Sequence, residues 1–388
     1  MGQAIWIAAF YALIVILVIV YRKRFEFAAK IGGIPLIALL KTQVGVPLMD
    51  KWGRGWKKFW RAYGYVSIVL GFAGMLLILV LVGQGVWNLF FRPDAPATFS
   101  LVVPGVKIPG SPITIPFIEG ILSIFVVAVI HEFCHGVVSR AWNIPVKSSG
   151  IALFGPIFGA FVEPEEKALR KQPNKVQLSI FAAGPAINLI TAFVFLFLMI
   201  PLSGALSGIS TQGITFDRVV DGSAAQINGL PPGVIYTSVN GTQIYNVNEF
   251  IVAFDNYKPN ETVVFGTNSA NYSVTLGDKA GQAWIGIEGI RSVPVDEQKG
   301  LYSFLGFLGS LLTWLFLISL GIGMANLLPL GPIDGGRMIQ LVFVKWFGKN
   351  KGTHIWIKLA IVLLAIVAML ILLPIFKALL PAIINLLG

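Results

Sequence analysis

Six apolar runs, at 4–21, 65–90, 117–142, 176–202, 302–328 and 355–373, divide the chain. Each has about the length a helix needs to cross a hydrocarbon core at a rise of about 1.5 Å per residue. Lysine and arginine collect on alternate sides of these runs. Arg22-Lys23-Arg24 follows the first run, and 22–61 adds Lys30, Lys41, Lys51, Arg54, Lys57, Lys58 and Arg61, interleaved with Trp52, Trp56 and Trp60. The stretches 147–175 and 337–351 are the other basic connections. Basic loops stay cytoplasmic, so the pattern predicts six spans with both termini outside and tryptophans at headgroup depth. The apolar piece 31–40 is too short to span and reads as interfacial or re-entrant.

The remaining connections differ in character. Residues 92–116 are rich in proline and glycine and read as an outer loop with one short extended piece at 99–103. The glycine-rich, aromatic stretch 150–164 is too short to cross. It reads as a membrane-associated β-hairpin, because irregular backbone at bilayer depth survives only against protein or a water-filled cavity. From 204 to 291 the composition becomes polar. Strands are expected at 215–220, 233–239, 262–266 and 271–276, with a hairpin turn at Asn240-Gly241 and a helix over 247–256. The expected fold is a polytopic α-helical membrane protein of about six transmembrane helices with a membrane-associated β-hairpin and a small inserted α+β domain outside. Its parts are a two-span region with a basic cytoplasmic loop (1–115), a first membrane half (116–203), the inserted domain (204–292) and a second membrane half with the last span (293–388).

Composition sharpens this picture. The chain has 388 residues, of which 56% are apolar and 12% charged, so a single water-soluble core is excluded. The formal charge of +11 lies beside apolar spans, where orientation in a membrane explains it, and nucleic acid is not an expected partner. Cys134 is the single cysteine, which excludes an intramolecular disulfide. Three residues after His131, it is rotated from that histidine by about 60° around the helix, a poor direction for a shared ligand site.

The chemistry lies in His131-Glu132-Phe133-Cys134-His135, inside the third run. Histidines four apart on a helix stand one above the other and can hold one zinc ion. Glu132, one position round, is placed to act as general base on water at that ion. Ionisable groups at this depth cost about 2.5–3.5 kcal/mol each on insertion scales, which argues against a packing role. A catalytic zinc takes three protein ligands and keeps an open position. The third is expected from the stretch 326–336, whose two prolines and three glycines break the fifth run and deliver Asp334 to the depth of His131. Asn188, in the fourth run, needs a polar partner; Gly184, one turn earlier, allows another helix to approach. His354 reads as an interfacial residue with no metal role.

These motifs together resemble the site-2 protease family of intramembrane zinc metalloproteases. The likeness rests on HEFCH, on Asn326-x-x-Pro329-x-x-x-x-Asp334-Gly335, on Gly184–x–x–x–Asn188 and on a β-loop at 150–162, and it covers about 116–341. It implies one zinc per chain on His131, His135 and Asp334, with Glu132 catalytic. It further implies Asn326, Asn188, Gly155 and Phe158 as substrate-binding positions, and a transmembrane protein in the bilayer as substrate. The first two spans look like an N-terminal addition seen in some members. The inserted domain resembles a PDZ domain, placed outside the cell membrane, with Gln212-Gly213-Ile214 the nearest match to a carboxylate-binding loop. Two other readings stand beside this one: a membrane metal transporter, and an inactive scaffold that recruits partners through the inserted domain. The topology has its own test. A cysteine placed at Lys57 should be shielded from an impermeant thiol reagent in intact cells and react after permeabilisation; labelling in intact cells would invert the orientation.

Overall fold

The computed structural model describes residues 2–31, 34–92, 95–154 and 157–387. Two compact units emerge, one of Met1–Met199 with Ser310–Gly388 and one of Ile200–Gly309. In the first unit, α1 (Gly2–Val20) leads into strands β1 (Phe25–Ile31) and β2 (Ile34–Thr42). Then come α2 (Val46–Gly55), α3 (Lys57–Phe91) and α4 (Phe117–Ala141). Strands β3 (Val146–Phe154) and β4 (Ile157–Pro164), the short α5 (Glu166–Arg170) and α6 (Asn174–Ser207) complete its first part.

The stretch 31–40, expected as an interfacial or re-entrant piece, is extended in its described residues. It lies mostly in β2, which pairs antiparallel with β1 on one side and β3 on the other. A lone apolar segment of this length cannot satisfy its backbone in a membrane, and sheet pairing does so on both edges. The expected hairpin at 150–162 is therefore half of a four-stranded sheet, in the order β1-β2-β3-β4. Gly150 pairs with Lys41 in this register, and a side chain there would strike the Leu40 carbonyl, so glycine sets how closely β2 and β3 approach. Lys41 links the sheet, 2.8 Å from Glu26 and 3.1 Å from Glu163. The Ser148 hydroxyl, followed by Lys41, holds the Glu163 carboxyl below its usual range.

Helix α2 starts after Gly45, in a left-handed conformation, with proline in its first turn. It docks on α4 where Gly53 faces the Val137 carbonyl and Met49 covers Gly136, and Asp50 pairs with the buried Arg140. Helix α3 buries Gly64, Ser67, Gly71, Gly74, Ile78, Val82 and Gly85, a stripe at three- and four-residue spacing. Small residues let membrane helices approach closely. Here Gly64 faces Ser179 and Gly71 faces Ala182 of α6, while Gly71 also faces Met338. This helix, read as part of an N-terminal addition, packs against α4 and α6. The described residues of 92–116 form turns, bends and irregular backbone, with no paired strand at 99–103, where a short extended piece was expected.

The inserted unit contains β5 (Thr211–Thr215), β6 (Arg218–Val219), α7 (Ala224–Ile227), β7 (Tyr236–Val239), β8 (Thr242–Gln243) and α8 (Val247–Phe254). Strands β9 (Thr262–Thr267), β10 (Asn271–Thr275), β11 (Gly277–Lys279), β12 (Gln282–Trp284), β13 (Ile287–Glu288) and β14 (Arg291–Pro294) follow. Its main sheet runs β10-β9-β7-β5-β14, with β8 on β7, over a core that includes Phe216 stacked on Tyr236 at 5.5 Å. Asn240 and Gly241 both take positive φ, 45° and 79°, as a tight hairpin turn requires. Ser223 and Asn246 cap α7 and α8. Gln212-Gly213-Ile214 does not form an open carboxylate-binding loop. It lies within β5, flanked by β7 and β14, and Ile214 is buried.

Beyond the insertion, α9 (Lys299–Asn326), α10 (Asp334–Phe347) and α11 (Lys349–Leu387) complete the chain. Among the described residues five helices are long and apolar enough to cross a membrane, the stretches Lys57–Phe91, Phe117–Ala141, Asn174–Ser207, Asp296–Asn326 and Lys349–Pro381. The expected first span folds as α1, with a shorter described apolar stretch, Ile7–Val20.

Candidate metal centre

The C-terminal half of α4 is its buried half, with every residue from Cys134 to Ala141 enclosed, and it carries His131 and His135 at 5% and 8% exposure. The helical rise puts the two imidazoles one turn apart on one face, and their Nε2 atoms converge to 3.2 Å. Asp334 reaches them from the first turn of α10. After Asn326 the chain turns sharply through 327–333. Gly335 and Gly336 then lie so close to the Leu327 and Leu330 carbonyls that side chains at either position would collide with them. These glycines let α10 begin against the turn and aim its first carboxylate at α4, an end of the helix that favours negative charge.

Asp334 Oδ2 stands 3.2 Å from His131 Nε2 and 3.3 Å from His135 Nε2. The three atoms thus form a near-equilateral triangle. Ligand bonds of about 2.0–2.1 Å in a tetrahedral zinc site give ligand–ligand separations of about 3.3 Å. Two imidazoles and a carboxylate are also a donor set that zinc takes in catalytic sites. Among the described residues these three form the one metal-competent cluster of His, Cys, Asp and Glu. Cys134 is buried in the apolar cluster with Val138, Leu327 and Met338, as its rotation on the helix anticipates.

The surroundings fit an ion as well. A Cβ on Gly184 would stand 2.7 Å from His131 Nε2 and closer still to His135 Nε2. The space in front of the ligand atoms is therefore kept clear by a glycine of α6. The Nδ1–H of His135 donates to the Ile180 carbonyl at 2.7 Å, leaving its Nε2 lone pair free for ligation. The Glu132 carboxylate accepts the Val162 N–H of β4 at 2.9 Å. Because β4 pairs with β3 on one edge, this bond marks its other edge, facing α4.

A cavity of about 300 Å³ joins these groups. His131, Glu132, His135, Asp334 and Asn326 all line it, together with Arg337, whose guanidinium lies over the Phe181 ring. Asn326 Nδ2 donates to the Ile322 carbonyl within its own helix. Asn188 is fully buried beside the centre, its amide 3.0 Å from His131 Nδ1, and is not part of the lining. Phe158 is half-buried in β4 and also lies off the lining, whereas Phe161 and Val162 of the same strand are on it. Gly155 falls outside the described residues. Sequence reasoning missed the parts played by Gly184, Ile180 and Val162. Two of these act through backbone groups, which carry no side-chain signature, although Gly184 was marked as a position of close approach.

The family model for peptidase family M50 matches residues 119–370. An uncharacterized protein of Methanocaldococcus jannaschii is 26% identical over 328 residues, covering 83% of this chain and 81% of its own length. Among solved structures, the PDZ domain of an SdrC-like protein from Listeria monocytogenes is matched at 26% identity, over 22% of this chain and 92% of that domain, with a TM-score of 0.17. The geometry of the centre makes a direct prediction. The purified protein should carry one zinc per chain, and Gly184→Ala, which removes no ligand, should lower zinc content towards zero by elemental analysis, as Asp334→Ala should. Full retention of zinc in Gly184→Ala would contradict the site.

Proposed function

The chain belongs to peptidase family M50, and from that premise we propose that it is an intramembrane zinc endopeptidase that hydrolyses peptide bonds within transmembrane segments of other membrane proteins. The observation that carries this reading is the placement of Glu132 in one cavity with the His131–His135–Asp334 triangle. A transport site has no use for a carboxylate that stands beside the ligands without joining them, and a scaffold has no use for either part.

A zinc ion on the three ligands would acidify an attacking water and polarise the scissile carbonyl. Glu132 takes the proton of that water and delivers it to the departing amine, the usual service of a positioned general base. Asn326, at the cavity wall, is placed to hydrogen-bond the substrate backbone or the carbonyl oxygen as it gains charge. A helical substrate hides its carbonyls, so it must unwind before cleavage. The outer edge of β4, where the Val162 N–H meets Glu132, supports capture of the unwound segment by strand pairing. That edge is adjacent to the general base, which would bring the paired segment to the metal side of the cavity.

The decisive variant is Glu132→Gln. It should keep one zinc per chain while lowering cleavage of a transmembrane substrate by about 10²–10⁴-fold, the range expected for loss of general acid–base catalysis. Retention of cleavage at the level of the native protein would exclude this role for Glu132.

A further inference from the structure

Asn188 occupies a place that the proposed chemistry does not use. It is fully buried, it lies off the cavity, and its amide sits 3.0 Å from His131 Nδ1 with its oxygen, Oδ1, unpartnered. The two histidines differ in what faces their second nitrogen. For His135 that group is the Ile180 carbonyl, which only accepts, so Nδ1 carries the proton and Nε2 offers its lone pair. His131 directs its Nε2 at the same point, 3.2 Å from both His135 Nε2 and Asp334 Oδ2. To ligate there it must also carry its proton on Nδ1, and that proton needs an acceptor.

The amide oxygen and nitrogen of asparagine have nearly the same shape, so the ring's protonation decides which one faces it. An amide nitrogen opposite Nδ1–H would set two donors against each other. Turning the amide over places Oδ1 on the proton. Resting on the zinc reading above, the geometry points to Asn188 as the positioning residue that accepts the Nδ1 proton of His131 and so fixes the tautomer that binds the metal.

The surroundings hold Asn188 in place for this task. Its own carbonyl accepts the Ser319 hydroxyl at 2.8 Å, and Ser319 meets the Thr191 hydroxyl at 2.9 Å, tying α6 to α9 at this level. Gly323 of α9 lies so near that a Cβ there would be 3.1 Å from Asn188 Cβ. Asn188 is therefore set by packing from α9, and His131 is set by Asn188.

The test is zinc affinity of the full-length protein in detergent, measured by competition with a chromophoric chelator, alongside the visible spectrum of the cobalt-loaded protein. Asn188→Leu fills the volume without an acceptor and should weaken zinc binding by about 10–100-fold, the usual effect of losing a group that orients a ligand histidine. Asn188→Asp restores an acceptor of the same size and should bind zinc as tightly as the native protein or more tightly, with a native cobalt spectrum. Native affinity in Asn188→Leu would overturn the inference. Zinc binding weaker than native in Asn188→Asp would overturn it too, since a donor role for Asn188 predicts that loss; this arm is read against the native protein and stands even where Asn188→Leu does not fold. A native protein that binds no zinc, or a His131→Ala variant that binds it unchanged, would instead remove the metal reading itself.

Discussion

Three ligand atoms with lone pairs turned toward one point, 3.2–3.3 Å apart, are the constraint on which the architecture depends. Two come from one helix and the third from a residue 203 positions after the first. Lone pairs so placed repel one another unless a cation or shared protons lie between them, so close packing must hold the geometry. Glycine supplies that closeness at each contact. Gly184 clears the front of the triangle, Gly335 and Gly336 bring Asp334 to it, Gly71 brings α3 against α6 and α10, and Gly323 brings α9 against α6. The many small residues in this apolar chain are thus a consequence of the site, since helices in lipid gain their association from close fit.

Around the centre three polar side chains have defined neighbours. His135 is oriented by the Ile180 carbonyl, Glu132 by the Val162 N–H, and His131 stands on Asn188. The Glu132 bond couples the proposed general base to the sheet edge. Under the proposed function, a peptide that pairs with β4 would arrive against that residue. The sheet itself is anchored away from the site, with β1 and β2 extending it and the Lys41 ammonium bridging Glu26 and Glu163.

The grouping of the candidate site residues was legible in the sequence because its signal is local. His131 and His135 share one helix face by periodicity alone, with Glu132 one position round, and the proline–glycine break before Asp334 is visible as a helix that cannot continue. The turn at Asn240-Gly241 and helix α8 were legible for the same reason. What the sequence hid was non-local. The run 31–40 carries the hydrophobicity of an interfacial segment, and only its partner β3, more than a hundred residues away, makes it a strand. The stripe from Gly64 to Gly85 is invisible as function until α6 and Met338 are seen against it. Gln212-Gly213-Ile214 resembles a binding loop in isolation, yet two neighbouring strands enclose it.

The account stands on a metal held by two imidazoles and one carboxylate. X-ray absorption spectroscopy at the zinc edge of the purified protein tests it directly. The expected spectrum shows only nitrogen and oxygen neighbours at about 2.0–2.1 Å, with the outer-shell scattering of two imidazole rings. A sulfur neighbour at about 2.3 Å, or the scattering of a single imidazole, would contradict it.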